Sequence, residues 1–324
     1  MAVQSSDLMK VYGPVPSRRL GQSLGINNIP PKICTYACVY CQLGRTIKLQ
    51  SERRKFYDPT VIVSDAERQI RKARDRDERI DYLTIVPDGE PTLDVDLGTE
   101  IRLLKRLGIK IAVIENASLL WREDVRKDLS EADWVSLKVD AVTEETWRRV
   151  NRPHGALKHE TVLQGMVDFA GMFKGELATE TMLIHGLNDG VEEAEKIADF
   201  LATLRPSKAY IAIPTRPPAE RWVRPADEQA INRAFQIFDG KLDHVEYLIG
   251  YEGNAFAFTG NVEEDLLSIS SVHPMREEGV AELLSKAGSD WSVVRKLLDE
   301  RRLIELEYGG YKFYMRKLPS RDVQ

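Results

Sequence analysis

Cys34, Cys38 and Cys41 are the only cysteines in the 324-residue chain, and they fall in one stretch, Lys32-Ile33-Cys34-Thr35-Tyr36-Ala37-Cys38-Val39-Tyr40-Cys41. Their spacing is C-x-x-x-C-x-x-C. A cubane iron–sulfur cluster ordinarily takes four thiolates. Three thiolates on one loop can hold three irons and leave the fourth iron open to an outside ligand. Other readings of the same residues compete. Free cysteine is often simply buried in a core. A structural zinc site wants four ligands, commonly in paired knuckles, and none of the histidines (His154, His159, His185, His244, His273) is near in sequence. A disulfide framework is disfavoured by the odd count and by the lack of any sign of secretion. The crowding of all three cysteines into one loop favours the cluster.

Further groups able to do chemistry recur after short apolar runs. Pro87-Asp88-Gly89-Glu90-Pro91-Thr92 offers a glycine that lets backbone approach a ligand closely, and the Glu90 carboxylate beside it. Glu115-Asn116-Ala117-Ser118 carries small polar side chains suited to a ribose or a carboxylate. Lys138-Val139-Asp140 offers a cation for a carboxylate and an acceptor for hydroxyls, or else an internal ion pair. Tyr40 sits beside the last cysteine, where an aromatic ring can shield a ligand. Arg216 lies in Pro214-Thr215-Arg216-Pro217-Pro218 and is expected at the same rim. Arg18 and Arg19 are either a solvated pair or contacts to an anion. His154, His185 and the stretch Tyr251-Glu252-Gly253-Asn254 are weaker candidates of the same kind.

These stretches need a scaffold that brings them to one face. Residues 12–25 are dense in glycine and proline and read as a shaped loop, with a first strand at 23–29. Strands then read at 82–86, 109–114, 134–139, 177–184, 209–213 and 244–249. Helices between them read at 59–76, 97–107, 121–129, 144–150, 159–172, 190–204 and 226–238. Such alternation implies a parallel sheet with right-handed crossovers. The repeats are too few to close an eight-fold barrel, so the expected class is α/β, a partial (β/α)6 parallel barrel, with function at the carboxyl ends of the strands. The tail reads as helices at 275–286 and 291–302. A hairpin then joins 303–307 to 311–315 around Tyr308-Gly309-Gly310. That pattern is a small winged-helix domain, expected to contact nucleic acid or peptide, or to serve in packing. The expected domains are residues 1–260 and 261–324.

Composition sets outer limits. A hydrophobic content of 43% supports a sizeable core, and a net charge of −5 argues against a general nucleic-acid-coating protein while allowing a local basic groove. No apolar run approaches the length of a membrane span, and the first residues show no leader, so a cytoplasmic setting without membrane partners is expected.

The cysteine motif followed by the Gly89-Glu90-Pro91 turn resembles the radical S-adenosylmethionine superfamily over about residues 10–258. Three further stretches look like a branch related to the wyosine tRNA enzymes. They are Gly13-Pro14-Val15-Pro16-Ser17-Arg18-Arg19-Leu20-Gly21, Tyr40-Cys41-Gln42-Leu43-Gly44 and Asn151-Arg152-Pro153. The resemblance implies that Cys34, Cys38 and Cys41 hold a 4Fe-4S cluster and that Gly89 and Glu90 lie on the turn for the amino group of S-adenosylmethionine. It places Asn116, Ser118, Lys138 and Asp140 where the ribose and carboxylate are held. It implies cleavage of the cofactor to methionine and a 5′-deoxyadenosyl radical, and a reductant such as ferredoxin or flavodoxin. The wyosine enzymes carry extra cysteines for a second cluster, and this chain has none. The expected substrate is an RNA, in particular a tRNA base, docked by the tail. The alternatives are a protein or peptide substrate, and a non-catalytic, cluster-bearing DNA-binding regulator.

Overall fold

The computed structural model describes residues 10–250, 254 and 256–317. The N-terminal stretch and Tyr251-Glu252-Gly253 lie outside the described residues. The chain opens with β1 (Val11–Ser17) and β2 (Gly21–Ile26), paired antiparallel. The sequence reads this segment as a loop because of Pro14 and Pro16. However, β1 is the edge of its sheet and needs hydrogen bonds on one side only, which is where proline is tolerated. Two short strands follow, β3 (Ile33–Cys34) and β4 (Lys48–Leu49), and close the neck of the cysteine loop.

The repeating part then begins. Helix α1 (Pro59–Arg74) starts at Asp58, whose carboxylate accepts from the Thr60 N–H at 2.8 Å, with Pro59 in the first turn. Its Ile62, Ala66, Ile70 and Ala73 recur on one buried face. In order come β5 (Tyr82–Ile85), α2 (Leu97–Lys105), β6 (Lys110–Glu115), α3 (Glu123–Leu129) and β7 (Trp134–Lys138). Next are α4 (Glu144–Asn151), α5 (His159–Met172), β8 (Glu176–Met182), α6 (Val191–Leu204), β9 (Lys208–Ala212), α7 (Glu228–Asp239) and β10 (Val245–Leu248). The sheet order is β1-β2-β5-β6-β7-β8-β9-β10, parallel from β2 onward, and the sheet curls into a partial barrel. Helices cover its outer face. Leu83, Ile85, Val113, Val135 and Leu137, all fully buried, share the face that packs under the helices, whereas the lumen face mixes Ala112 and Trp134 with Thr84, Ser136, Lys138 and Glu180.

The last part holds α8 (Val262–Val272), β11 (Met275–Arg276), α9 (Glu277–Lys286), α10 (Ser292–Asp299), β12 (Leu303–Tyr308) and β13 (Tyr311–Arg316). The three strands form an antiparallel sheet in the order β11-β13-β12. Both expected helices and the hairpin are present. Sequence reading missed α8, although its signal is local. Asn261 accepts from the Glu264 N–H at 3.2 Å, and Glu263, Glu264 and Asp265 fill the first turn, where the helix dipole favours anions. Tyr12 and Val15 of β1 enter one core with Phe256, Leu266, Met275, Leu283 and Tyr314, so the tail packs directly against the edge of the barrel sheet. Among the described residues no helix is long and apolar enough to cross a membrane.

Candidate active site

The cysteine loop is held at both ends by main-chain bonds. At its neck, Ile47 and Lys48 donate to the Lys32 carbonyl at 3.0 and 3.1 Å, and Gln50 donates to the Cys34 carbonyl at 3.0 Å. Along its far side it is laced to the stretch after α4. Ala37 donates to the Asn151 carbonyl at 3.0 Å, Val39 to that of Val150 at 3.0 Å, and His154 to that of Thr35 at 2.8 Å. The Asn151-Arg152-Pro153 motif thus has a mechanical role beside the loop. Arg152, with φ of 45°, ends the helix and turns the chain along it. Its guanidinium pairs with Glu220 at 2.7 Å, Glu220 also meets Arg45 at 3.0 Å, and the Glu220 N–H donates to Val39 at 3.0 Å.

The three thiols are half-buried and line one cavity of about 100 Å³ together with Lys32, Gly44 and Gly89. Asn151 Nδ2 donates to Cys38 Sγ at 3.4 Å, and Asn116 Nδ2 to Cys34 Sγ at 3.5 Å. Burial pushes all three thiols up, Cys38 to about 12 with the Asp140 charge adding to the effect. A thiolate there requires cations beside it, as irons supply. Three soft sulfurs on the wall of one small cavity, with amide donors already aimed at two of them, fit an iron–sulfur cluster.

The Gly89 turn lies against β3. Lys32 N–H donates to the Asp88 carbonyl at 2.5 Å, and Glu90 N–H to the Ile33 carbonyl at 3.1 Å. A Cβ on Gly89 would stand 1.9 Å from the Ile33 carbonyl oxygen, so only glycine fits this seam. Glu90 is buried and turned inward. One carboxylate oxygen accepts from Thr92 N–H at 3.0 Å and from the Thr92 hydroxyl at 2.5 Å, and the other from Asn116 N–H at 2.9 Å. Burial raises its carboxyl to about 7. It ties the Gly89 turn to the loop after β6. In that loop Asn116 Nδ2 and the Ser118 hydroxyl both reach the Thr35 hydroxyl, at 2.8 and 2.7 Å. Glu90, Asn116 and Ser118 therefore converge on the cysteine loop through Thr35, a residue not singled out in the sequence.

A second group gathers around the end of β7. The Tyr40 hydroxyl donates to Asp140, whose same oxygen accepts from Asn151 Nδ2 at 2.7 Å, while the other accepts from Met182 N–H at 2.9 Å. Lys138 Nζ stands 5.1 Å from the centre of the Tyr40 ring and 2.6 Å from Glu180. Arg19 reaches the other oxygen of Glu180. Lys138 thus has an internal ion pair, and burial pulls its ammonium below the ordinary lysine value. Glu180 was missed, yet it leaves a trace: a carboxylate within Glu176-Leu177-Ala178-Thr179-Glu180, an otherwise buried strand. Arg216 stands apart from both groups. It donates to Gln42 of the cysteine loop at 2.7 Å and lies 2.9 Å from His273 Nε2, so it joins loop, barrel rim and tail. Of the weaker candidates, Arg18 donates to backbone carbonyls at and after the end of β10, His185 is exposed and 3.3 Å from Asp189, and the ring of His154 accepts from Ala156 N–H at 3.2 Å.

Residues 28–201 match the model of the Radical SAM superfamily. That is more than half of the chain, and the chain belongs to this family. It is a radical S-adenosylmethionine enzyme, and its cofactors are a 4Fe-4S cluster and S-adenosylmethionine. A UPF0026 protein of Methanocaldococcus jannaschii is 49% identical over 314 residues, which is 96% of this chain and 97% of that one. Among solved structures, a radical SAM methyltransferase from Sphaerobacter thermophilus shares the fold at 15% identity. Its TM-score is 0.52, over 70% of this chain and 66% of that one. TYW1 with a lysine-pyruvate adduct bound gives 18% identity and a TM-score of 0.49 over 69% of this chain and 76% of that one.

Proposed function

We propose that Cys34, Cys38 and Cys41 hold three irons of a single cluster, that the fourth iron takes the amino and carboxylate groups of S-adenosylmethionine, and that the substrate is an RNA, in particular a tRNA base. The observation that carries the cofactor reading is the one cavity shared by the three thiols and Gly89. When bound, the cluster and S-adenosylmethionine supply an electron and a 5′-deoxyadenosyl radical that takes hydrogen from the substrate. The chain's own residues orient and enclose. Gly89 lets the turn close on β3 beside the thiols, where its main chain serves the amino group, and Glu90 holds the Gly89 and Asn116 loops at one spacing. Asn116, Ser118, Lys138 and Asp140 serve the carboxylate and ribose, and Tyr40 covers one side. Arg216 closes the mouth from the tail side. Residues 1–260 act as the radical unit and residues 261–324 as a winged-helix unit that docks the RNA. A ferredoxin or flavodoxin delivers the electron in a cytoplasmic setting. The branch motifs and the basic side chains of the tail support the RNA assignment.

The test is anaerobic reconstitution followed by reduction with S-adenosylmethionine present. The expected result is about four irons per chain and formation of 5′-deoxyadenosine that rises when RNA is added. Cys38→Ala should lose both the irons and the product. Product formation by Cys38→Ala at the wild-type rate would overturn the cluster assignment. Failure of any cellular RNA to bind or to stimulate would overturn the substrate.

A further inference from the structure

A cavity of about 860 Å³ lies apart from the cysteine cavity. It runs between the loop after β9 and the hairpin of β12 and β13. Tyr308 fastens its two walls, its hydroxyl donating to the Pro214 carbonyl at 3.0 Å. We propose that this cleft is where the substrate docks, and that it takes a single-stranded RNA segment. The inference rests on the RNA reading above and adds the site.

Two features of the cleft carry it. The first is charge. Arg221, Arg224 and Arg276 line it against one acid, Glu307. Among the described residues neither Arg221 nor Arg224 pairs with a carboxylate; Arg224 donates to the carbonyls of Arg221 and Val223. Two exposed guanidinium groups thus keep their charge for an anion in a chain of net charge −5. The second is aromatic surface. Tyr311 is 45% exposed and carries the Arg276 guanidinium 3.7 Å from its ring centre, and Tyr308 lines the cleft beside it. Flat rings and guanidinium planes are what unstacked bases pack on.

The cleft also leads to the chemistry. Thr215 and Pro217 line it, while Arg216 between them lines a smaller cavity with Gln42, Arg19 and His273 on the barrel side. One loop therefore separates the docking cleft from the mouth of the site, and a strand lying in the cleft can present a base past Arg216.

The experiment measures binding of a short unstructured fluorescein-labelled RNA to the anaerobically reconstituted full chain by anisotropy, across a range of KCl concentrations. Single-strand binding loses about 0.7 in the slope of log K against log salt per phosphate contact. Arg221→Gln with Arg224→Gln should therefore flatten the slope by about 1.4. Tyr311→Ala should weaken binding roughly 5- to 150-fold, the value of one stacked base. Arg71→Gln with Arg74→Gln, at the exposed end of α1, should leave both unchanged. Circular dichroism confirms that each variant folds. If the wild type binds RNA and the cleft variants match it in slope and affinity, the cleft is wrong and the RNA reading stands. If the wild type binds no RNA, the RNA reading falls and the cleft proposal with it. Displacement of the RNA by an acidic peptide at similar concentration would overturn the single-stranded RNA occupant in favour of a peptide.

Discussion

Gly89→Ala tests the seam between the glycine–glutamate turn and the strand that delivers the first cysteine. The added methyl carbon would stand 1.9 Å from the Ile33 carbonyl oxygen and 2.9 Å from Ile29 Cδ1. The nearer obstacle is main chain, so it cannot rotate away, and the seam must open by about 1.5 Å to restore an ordinary contact. Opening it breaks the Glu90-to-Ile33 and Lys32-to-Asp88 bonds. Each is worth about 1 kcal/mol, and overpacking adds about 1–3 kcal/mol. The expected destabilisation is roughly 3–5 kcal/mol, which for a chain of this size lowers the melting temperature by roughly 4–7 °C. Because the seam also holds Cys34 against the turn, iron content after reconstitution should fall. Gly171→Ala, with nothing within 4 Å of the added carbon, is the control and should be neutral or slightly stabilising. Melting and iron analysis on the three proteins decide the matter. A Gly89→Ala protein that melts within a degree or two of wild type with full iron would refute the steric argument.

Two further predictions concern buried charge. Glu180→Gln leaves Lys138 and Arg19 together in the barrel lumen without their shared carboxylate. Breaking a buried pair in this way costs about 3–5 kcal/mol; chemical denaturation should show it, and an unchanged midpoint would refute it. Asp94 is fully buried, one of its oxygens has no partner, and burial raises its carboxyl from 3.8 to about 7. Below pH 4 both folded and unfolded chains hold the proton. Between pH 4 and 7 only the folded chain does, so stability falls as pH rises, by up to about 4 kcal/mol. Asp94→Asn should therefore stabilise the protein at pH 8 and lose that advantage towards pH 4. An equal gain at both ends would show that the proton is not involved.

The sequence by itself determined the cysteine loop, the alternation of strands and helices and the hairpin of the tail. Each is written in neighbouring residues: three thiols within one loop, apolar positions at the helical or strand period, and Gly309-Gly310 between two alternating runs. It also placed Gly89, Asn116 and Lys138 correctly at strand ends, because a parallel sheet sends all its carboxyl ends one way. What those residues do to each other was decided only by the tertiary structure. Glu90 reaches Asn116, Asp140 joins Tyr40 to Asn151, and Arg216 meets both Gln42 and His273. These partners come from distant segments and are set by strand register and loop path, which no local pattern encodes. The same holds for β1, whose prolines are tolerable only at a sheet edge, and for the cleft of Arg221, Arg224 and Tyr311. Its two walls are separated by most of the tail in sequence and meet because Tyr12 and Val15 give the tail an apolar surface to pack on.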